Sequence, residues 1–264
     1  MSKKYLSANT LFHFTNNLDN IINILKEEFS PRYCMESFKV IGGKEVELAV
    51  PMVCFCDIPL SQIRNHIENY GGYAIGLSKE WGVSKEINPV MYSTKESVST
   101  KTIRKSLDNI IELERGGYTE GETLKKISKG SFLLSHFTFF IKPYEGQAWN
   151  KNKFDGANTR FYDEREWRYI PEYDFFTENK IRWYIEKEDF LNVNYRNEKN
   201  KKIAELSKLK FDPADIKYII VNSEEEILTL CRQIEDIKGA KYSSNELNIL
   251  KTRILSKEHI LNDF

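Results

Sequence analysis

Apolar residues recur along this chain in two periods, and the switches between them set out its elements. Ala8–Thr15, ending Leu11-Phe12-His13-Phe14-Thr15, favours a strand. Leu18, Ile21, Ile22 and Leu25 then fall on one face of a helix that Asn16 or Asn17 can cap. Phe29–Glu36 reads as extended, the turn Ile41-Gly42-Gly43-Lys44 follows, and Val46, Leu48 and Val50 alternate up to Pro51. Met52–Gly82 is the densest stretch. It predicts a strand (Met52–Cys56), a turn at Asp57-Ile58-Pro59, a helix with Leu60, Ile63 and Ile67 inward, a Gly71-Gly72 break and a second strand (Tyr73–Ser78).

Beyond it, Trp81 lies in a short helical turn and Asn88–Tyr92 reads as a strand. Ser97–Glu114 has helical spacing and stops at Gly116-Gly117; a second helix runs from Glu122 to Pro143. Together they predict a helical insertion over about 95–142. Tyr144–Lys153 reads as a loop, Phe161–Ile170 as a strand of interleaved aromatics and charges, and Ile181–Ile185 as another strand. A lysine-rich helix (Glu198–Lys208), an apolar strand (Ile216–Val221) and a helix (Ser223–Ile237) follow, and a peripheral helical tail spans about 243–264. The mixture predicts an α+β fold. No Gly/Ser/Pro-rich linker divides the 264 residues, so one domain over 1–264 is expected.

Charge removes some functions from consideration. Lys+Arg and Asp+Glu each total 39, which argues against binding duplex nucleic acid by general phosphate neutralisation. The start MSKKYLSANT has no apolar signal core, and no later segment has the apolar length of a membrane helix. A soluble, cytoplasmic protein with no membrane partner is expected.

Candidate chemistry comes from few residues. The cysteines (Cys34, Cys54, Cys56, Cys231) have no disulfide framework, and free, buried thiols are expected. A zinc reading from Cys34, Cys54, Cys56 and His66 has suitable ligand types without paired-knuckle spacing, so no metal is expected. His13 stands near a strand end, where side chains face a crevice; a packed histidine bonded to backbone carbonyls is the alternative. His66 reads as a boundary residue and His136 as a core one, while Glu36 reads as a surface carboxylate. Tyr70 and Tyr73 bracket the glycines and offer an aromatic wall to a planar ligand, or simply core. Glu164, Glu166 and Arg168 share one face if Phe161–Ile170 is a strand, and two neighbouring carboxylates need a cation such as Arg165 or Arg168, or a ligand, to offset their repulsion. An ion-paired strand edge is the plain alternative.

His13-Phe14-Thr15 with Asn17-Leu18 and Ile24-Leu25, Phe55-Cys56-Asp57-Ile58-Pro59-Leu60-Ser61, His66, Tyr70-Gly71, Gly76–Gly82 and Glu166-Trp167-Arg168 resemble the AbiGi family of bacterial abortive-infection proteins. That resemblance implies an antitoxin of a phage-resistance pair, whose cognate partner is a nucleotidyltransferase-like toxin. More distantly, His13-x-Thr15 on a first strand, aromatic central strands and a late glutamate resemble the ADP-ribosyltransferase fold, which implies a split, mostly antiparallel sheet and NAD as substrate. On that resemblance Glu166 and His13 are catalytic; His13, Thr15, Tyr70 and Tyr73 bind NAD; Glu164 and Arg168 orient a nucleic-acid or protein acceptor. The chain departs from the arginine-modifying members in lacking a Ser-Thr-Ser strand.

Overall fold

The computed structural model describes residues 8–38, 46–115, 121–150 and 152–263. Strand β1 (Thr10–Thr15) leads into helix α1 (Leu18–Glu27), and the Asn17 side chain caps the helix by accepting from the Asn20 amide at 2.8 Å. Strands β2 (Arg32–Phe38) and β3 (Val46–Cys56) pair antiparallel from Arg32↔Met52 to Phe38↔Val46. The turn expected at Ile41–Lys44 lies outside the described residues. Pro51 does not end its strand as expected: it sits opposite Tyr33 and the chain runs on unbroken to Cys56.

After Asp57-Ile58-Pro59 the expected single helix divides into a 3-10 turn (Leu60–Gln62) and helix α2 (Arg64–Tyr70), followed by β4 (Tyr73–Ser78) and α3 (Lys79–Ser84). Gly71 closes α2 at φ 108°, and a Cβ there would lie 2.3 Å from the Thr15 carbonyl oxygen. Only glycine fits both the angle and the space. The strand expected at Asn88–Tyr92 breaks at Val90 into β5 (Asn88–Pro89) and β6 (Met91–Ser93), which join different sheets.

Helices α4 (Val98–Arg115) and α5 (Glu122–Thr138) form the expected helical pair, with the Gly116-Gly117 stop outside the described residues. Helix α5 ends at Thr138, short of Pro143, and Lys142, the residue preceding that proline, is extended as the proline ring requires. Ile141–Pro143 instead forms β7, parallel to β6. The expected loop Tyr144–Lys153 contains β8 (Gly146–Asn150), which makes a hairpin with β9 (Lys153–Thr159). A 3-10 turn (Phe161–Glu164), β10 (Glu166–Tyr169), α6 (Tyr173–Glu178), β11 (Ile185–Glu186), α7 (Lys187–Leu191) and α8 (Val193–Leu206) follow. The chain closes with β12 (Ile216–Val221), α9 (Glu224–Lys238), α10 (Ser244–Lys251), β13 (Ile254–Ser256) and α11 (Lys257–Asp263).

Among the described residues the main sheet runs β13-β12-β4-β1-β3-β10-β5, with β2 and β11 also on β3, and only the β12–β13 pair in it is parallel. The fold is therefore α+β, as the pattern predicts, and its main sheet is mostly antiparallel. Leu11, Phe55, Ile75 and Leu77 face a large core shared with α1, α9 and α10. Their neighbours Phe12 and Ala74 face the other way, against Ile63, Ile67 and Ile260. The tail is not peripheral: Leu247, Leu250 and Ile260 are buried and β13 completes the sheet, because alternate apolar residues there have a sheet edge to cover.

A seam divides the middle of this sheet. β1 pairs with β4 along its whole length, yet meets β3 only at Phe12↔Cys56.

Candidate functional site

Glu166 begins β10 opposite Cys56, and Arg168 lies opposite Cys54 two residues on, so the strand's period puts both side chains on one face. Arg168 is wholly buried. Its Nε donates to Glu166 Oε1 at 2.5 Å, its Nη2 to Glu166 Oε2 at 3.2 Å and to Glu36 Oε1 at 2.9 Å, and its Nη1 to the Phe139 carbonyl at 2.7 Å. Glu36 is thus no free surface carboxylate, because β2 carries it to the guanidinium.

Lys142 completes the cluster from β7. Its Nζ donates to Glu166 Oε2 at 2.6 Å and to Glu164 Oε2 at 2.7 Å, and it lies 4.7 Å from the Phe161 ring centroid. The Tyr70 hydroxyl donates to Glu164 Oε1. Glu164 and Glu166 meet through a device other than strand alternation: Glu164 ends a 3-10 turn and Arg165 takes left-handed backbone at φ 44°, which turns the chain so that both carboxylates reach one ammonium. Glu36, Glu164 and Glu166 share the two cations Arg168 and Lys142, leaving the cluster one negative charge in excess.

Burial pushes the Glu166 carboxyl up, but the Arg168 guanidinium and the Lys142 ammonium outweigh it and hold its pKa well below the carboxylate range. Burial alone would lower Lys142, whereas Glu166, Glu36 and Glu164 raise it well above the ordinary lysine value. Glu166 is ionised and Lys142 is charged at neutral pH.

This cluster borders a cavity of about 390 Å³ that His13, Tyr70, Glu164 and Glu166 all line, together with Lys142 and Glu36. The rest of the lining is largely apolar, with Phe12, Phe14, Trp149 and Phe161 among it. The sequence candidates His13, Tyr70, Glu164 and Glu166 thus come together. His13 sits at the β1–β3 seam, half-buried, with Nδ1 2.9 Å from the Cys54 carbonyl oxygen and its ring edge-on to Phe29 and Phe55. Burial lowers its pKa, against the raising effect of that carbonyl, so the imidazole is neutral at pH 7.

Other candidates lie elsewhere. Thr15 is buried and its Oγ1 accepts from Asn20 Nδ2 at 2.6 Å, fixing the start of α1 rather than lining the cavity. Tyr73 packs into the large core with its hydroxyl donating to Glu226 Oε1 at 2.8 Å, on the sheet face opposite Phe12. Arg168 stands behind Glu166 and does not line the cavity. Cys34, Cys54 and Cys56 are free, and burial raises all three thiols, Cys34 to about 12. Among the described residues no group of three or more His, Cys, Asp or Glu is arranged to hold a metal, so the zinc set does not assemble. His136 Nε2 lies 2.9 Å from the Pro171 carbonyl oxygen as a packed histidine.

Sequence reasoning missed Lys142 and misjudged Glu36. Lys142 was hidden inside an apparent helix, although Pro143 beside it signals an extended residue.

The AbiGi family model, described as "Putative abortive phage resistance protein AbiGi, antitoxin", matches residues 27–222. The chain belongs to the AbiGi family. A relative from Lactococcus lactis subsp. cremoris, "Abortive phage resistance protein AbiGi", is 31% identical over 255 residues, covering 89% of this chain and 99% of its own length. No solved structure matches the chain. The AbiGi match takes in Glu36, Tyr70, Lys142, Glu164, Glu166 and Arg168, and leaves His13 and Thr15 outside its bounds. No described helix is long and apolar enough to cross a membrane.

Proposed function

We propose that this AbiGi-family protein acts in phage defence through its carboxylate-lined cavity, using NAD as donor for ADP-ribosyl transfer to a nucleic acid or protein. The observation that carries the reading is an ionised glutamate, Glu166, held by Arg168 and Lys142 at the edge of an aromatic-walled cavity, in a cluster with one excess negative charge. Nicotinamide in NAD is a flat cationic ring, which suits aromatic walls and a net negative cluster. In the transfer the bond from ribose C1′ to the ring nitrogen breaks, its electron pair leaves with neutral nicotinamide, and the cation developing at C1′ is stabilised by Glu166. The acceptor then bonds to C1′ and gives up its proton to solvent. His13 and Tyr70 would contact the ribose and the ring, and Glu164 would orient the acceptor.

The test is nicotinamide release by the purified chain supplied with NAD. Glu166→Gln, with its fold checked by circular dichroism, is expected to slow release by about 100-fold or more, the usual cost of removing one preorganised electrostatic group. Failure of the wild-type chain to bind NAD at millimolar concentration would overturn the reading.

A second reading, a non-catalytic antitoxin that neutralises a cognate toxin, is favoured by the family description and by the saturation of Glu166 with protein donors. It predicts that Glu166→Gln still rescues toxin-expressing cells. Loss of rescue in a folded variant would count against it.

A further inference from the structure

A second cavity, of about 520 Å³, adjoins the first: Tyr70 and Glu164 line both. Its character is opposite. Arg64, Arg160 and Arg165 line it, with Ser61 and Gln62 adding polar groups. Against these three guanidinium groups stand two carboxylates. Glu164 is already bonded to Lys142 and Tyr70, and Asp163 lies 3.9 Å from Arg160 with its side chain largely exposed. Arg64 gives one N–H to the Leu261 carbonyl at 2.8 Å, Arg165 is already engaged, and the Arg160 side chain is largely exposed.

Guanidinium groups bind phosphate oxygens in paired, charge-assisted hydrogen bonds. His66, only 7% exposed, forms part of the cavity wall with its ring nitrogens closed off from the cavity.

We propose that this second cavity binds the phosphate groups of a nucleotide, with Arg64 and Arg160 as cationic contacts. The ligand's apolar, cationic end would then lie past Tyr70 in the first cavity, so a dinucleotide would span the two. Only that spanning rests on the NAD reading; the phosphate site stands without it.

The experiment is calorimetric titration of the full chain with ADP and with inorganic pyrophosphate, neither of which carries nicotinamide. Wild type is expected to bind both, and Arg160→Ala to weaken binding about tenfold, the usual loss for one charge-assisted contact. The Arg160 side chain is largely exposed, so that variant folds normally and keeps the test decisive. Absence of ADP and pyrophosphate binding at millimolar concentration, or unchanged affinity in Arg160→Ala, overturns the proposal. Binding of a single-stranded oligonucleotide without binding of ADP would overturn it too, by assigning the cations to a polymer. ADP binding without NAD turnover would leave this site standing and sink the transferase reading; turnover without ADP binding would do the reverse.

Discussion

Replacing Arg168 by methionine is the most informative single change, because every polar contact that the guanidinium makes is inside the protein. The side chain is 0% exposed and supplies two hydrogen bonds to Glu166, one to Glu36 and one to the Phe139 carbonyl. Arg168→Met keeps most of the volume and removes all four. Glu166, 5% exposed, would retain Lys142 alone, and that ammonium is shared with Glu164. Breaking a buried pair from one side costs about 3–5 kcal/mol, against about 5–15 kcal/mol for the stability of a whole domain. With a urea slope of about 3 kcal/mol/M this moves the unfolding midpoint by about 1–2 M. Since most of that cost comes from the stranded carboxylate, the double variant Arg168→Met/Glu166→Gln is expected to be more stable than Arg168→Met alone. Urea unfolding followed by circular dichroism measures wild type, Arg168→Met, Glu166→Gln and the double variant. A loss below about 1 kcal/mol for Arg168→Met, a surface-pair value, would refute the buried-cluster reasoning, as would strict additivity of the double variant.

Gly71→Ala places a Cβ 2.3 Å from the Thr15 carbonyl oxygen at φ 108°, so thermal denaturation should show it destabilised by about 1–3 kcal/mol or more, and a neutral result would contradict the close approach of α2 to β1. Stability should fall with acid in two ranges. Burial lowers His66 from 6.5 to about 4, so between those pH values the unfolded chain takes up a proton that folded His66 does not, and stability declines as pH falls. The lowered Glu166 contributes stability that is complete above its ordinary value of 4.5 and is lost as pH falls further towards its folded value. Melting curves at successive pH values check this: His66→Phe should reduce the slope of the upper range, to which the lowered His13 and His136 also contribute, and Glu166→Gln the slope of the lower.

What could be read from the chain depended on whether the signal was local. Ile216–Val221 emerges as a strand with the expected bounds because an apolar run between turn residues has few other solutions. Glu166 and Arg168 share a face for the plain reason that strands alternate. Tyr70 and Tyr73 show the limit: they bracket the same glycine pair, yet the positive φ of Gly71 and the start of β4 send them to different surroundings. Lys142 and Glu36 were out of reach for a different reason. Each acquires its role from a partner distant in sequence, Glu166 or Arg168, and nothing beside either residue announces the pairing. The parallel β6–β7 pair, which delivers Lys142, likewise joins residues on either side of the helical pair.

The shared lysine also constrains how this chain can diverge. Losing Lys142 strands two carboxylates at once, and losing Glu166 leaves Arg168 and Lys142 each short of an acceptor. No single loss of Lys142, Glu166 or Arg168 leaves every remaining charged group with its partner, so mutational drift at Glu36, Lys142, Glu166 and Arg168 is expected to proceed by paired exchanges. Among AbiGi relatives these four positions should therefore vary together or remain as they are, a pattern of correlated inheritance between residues as much as 132 positions apart, Glu36 and Arg168.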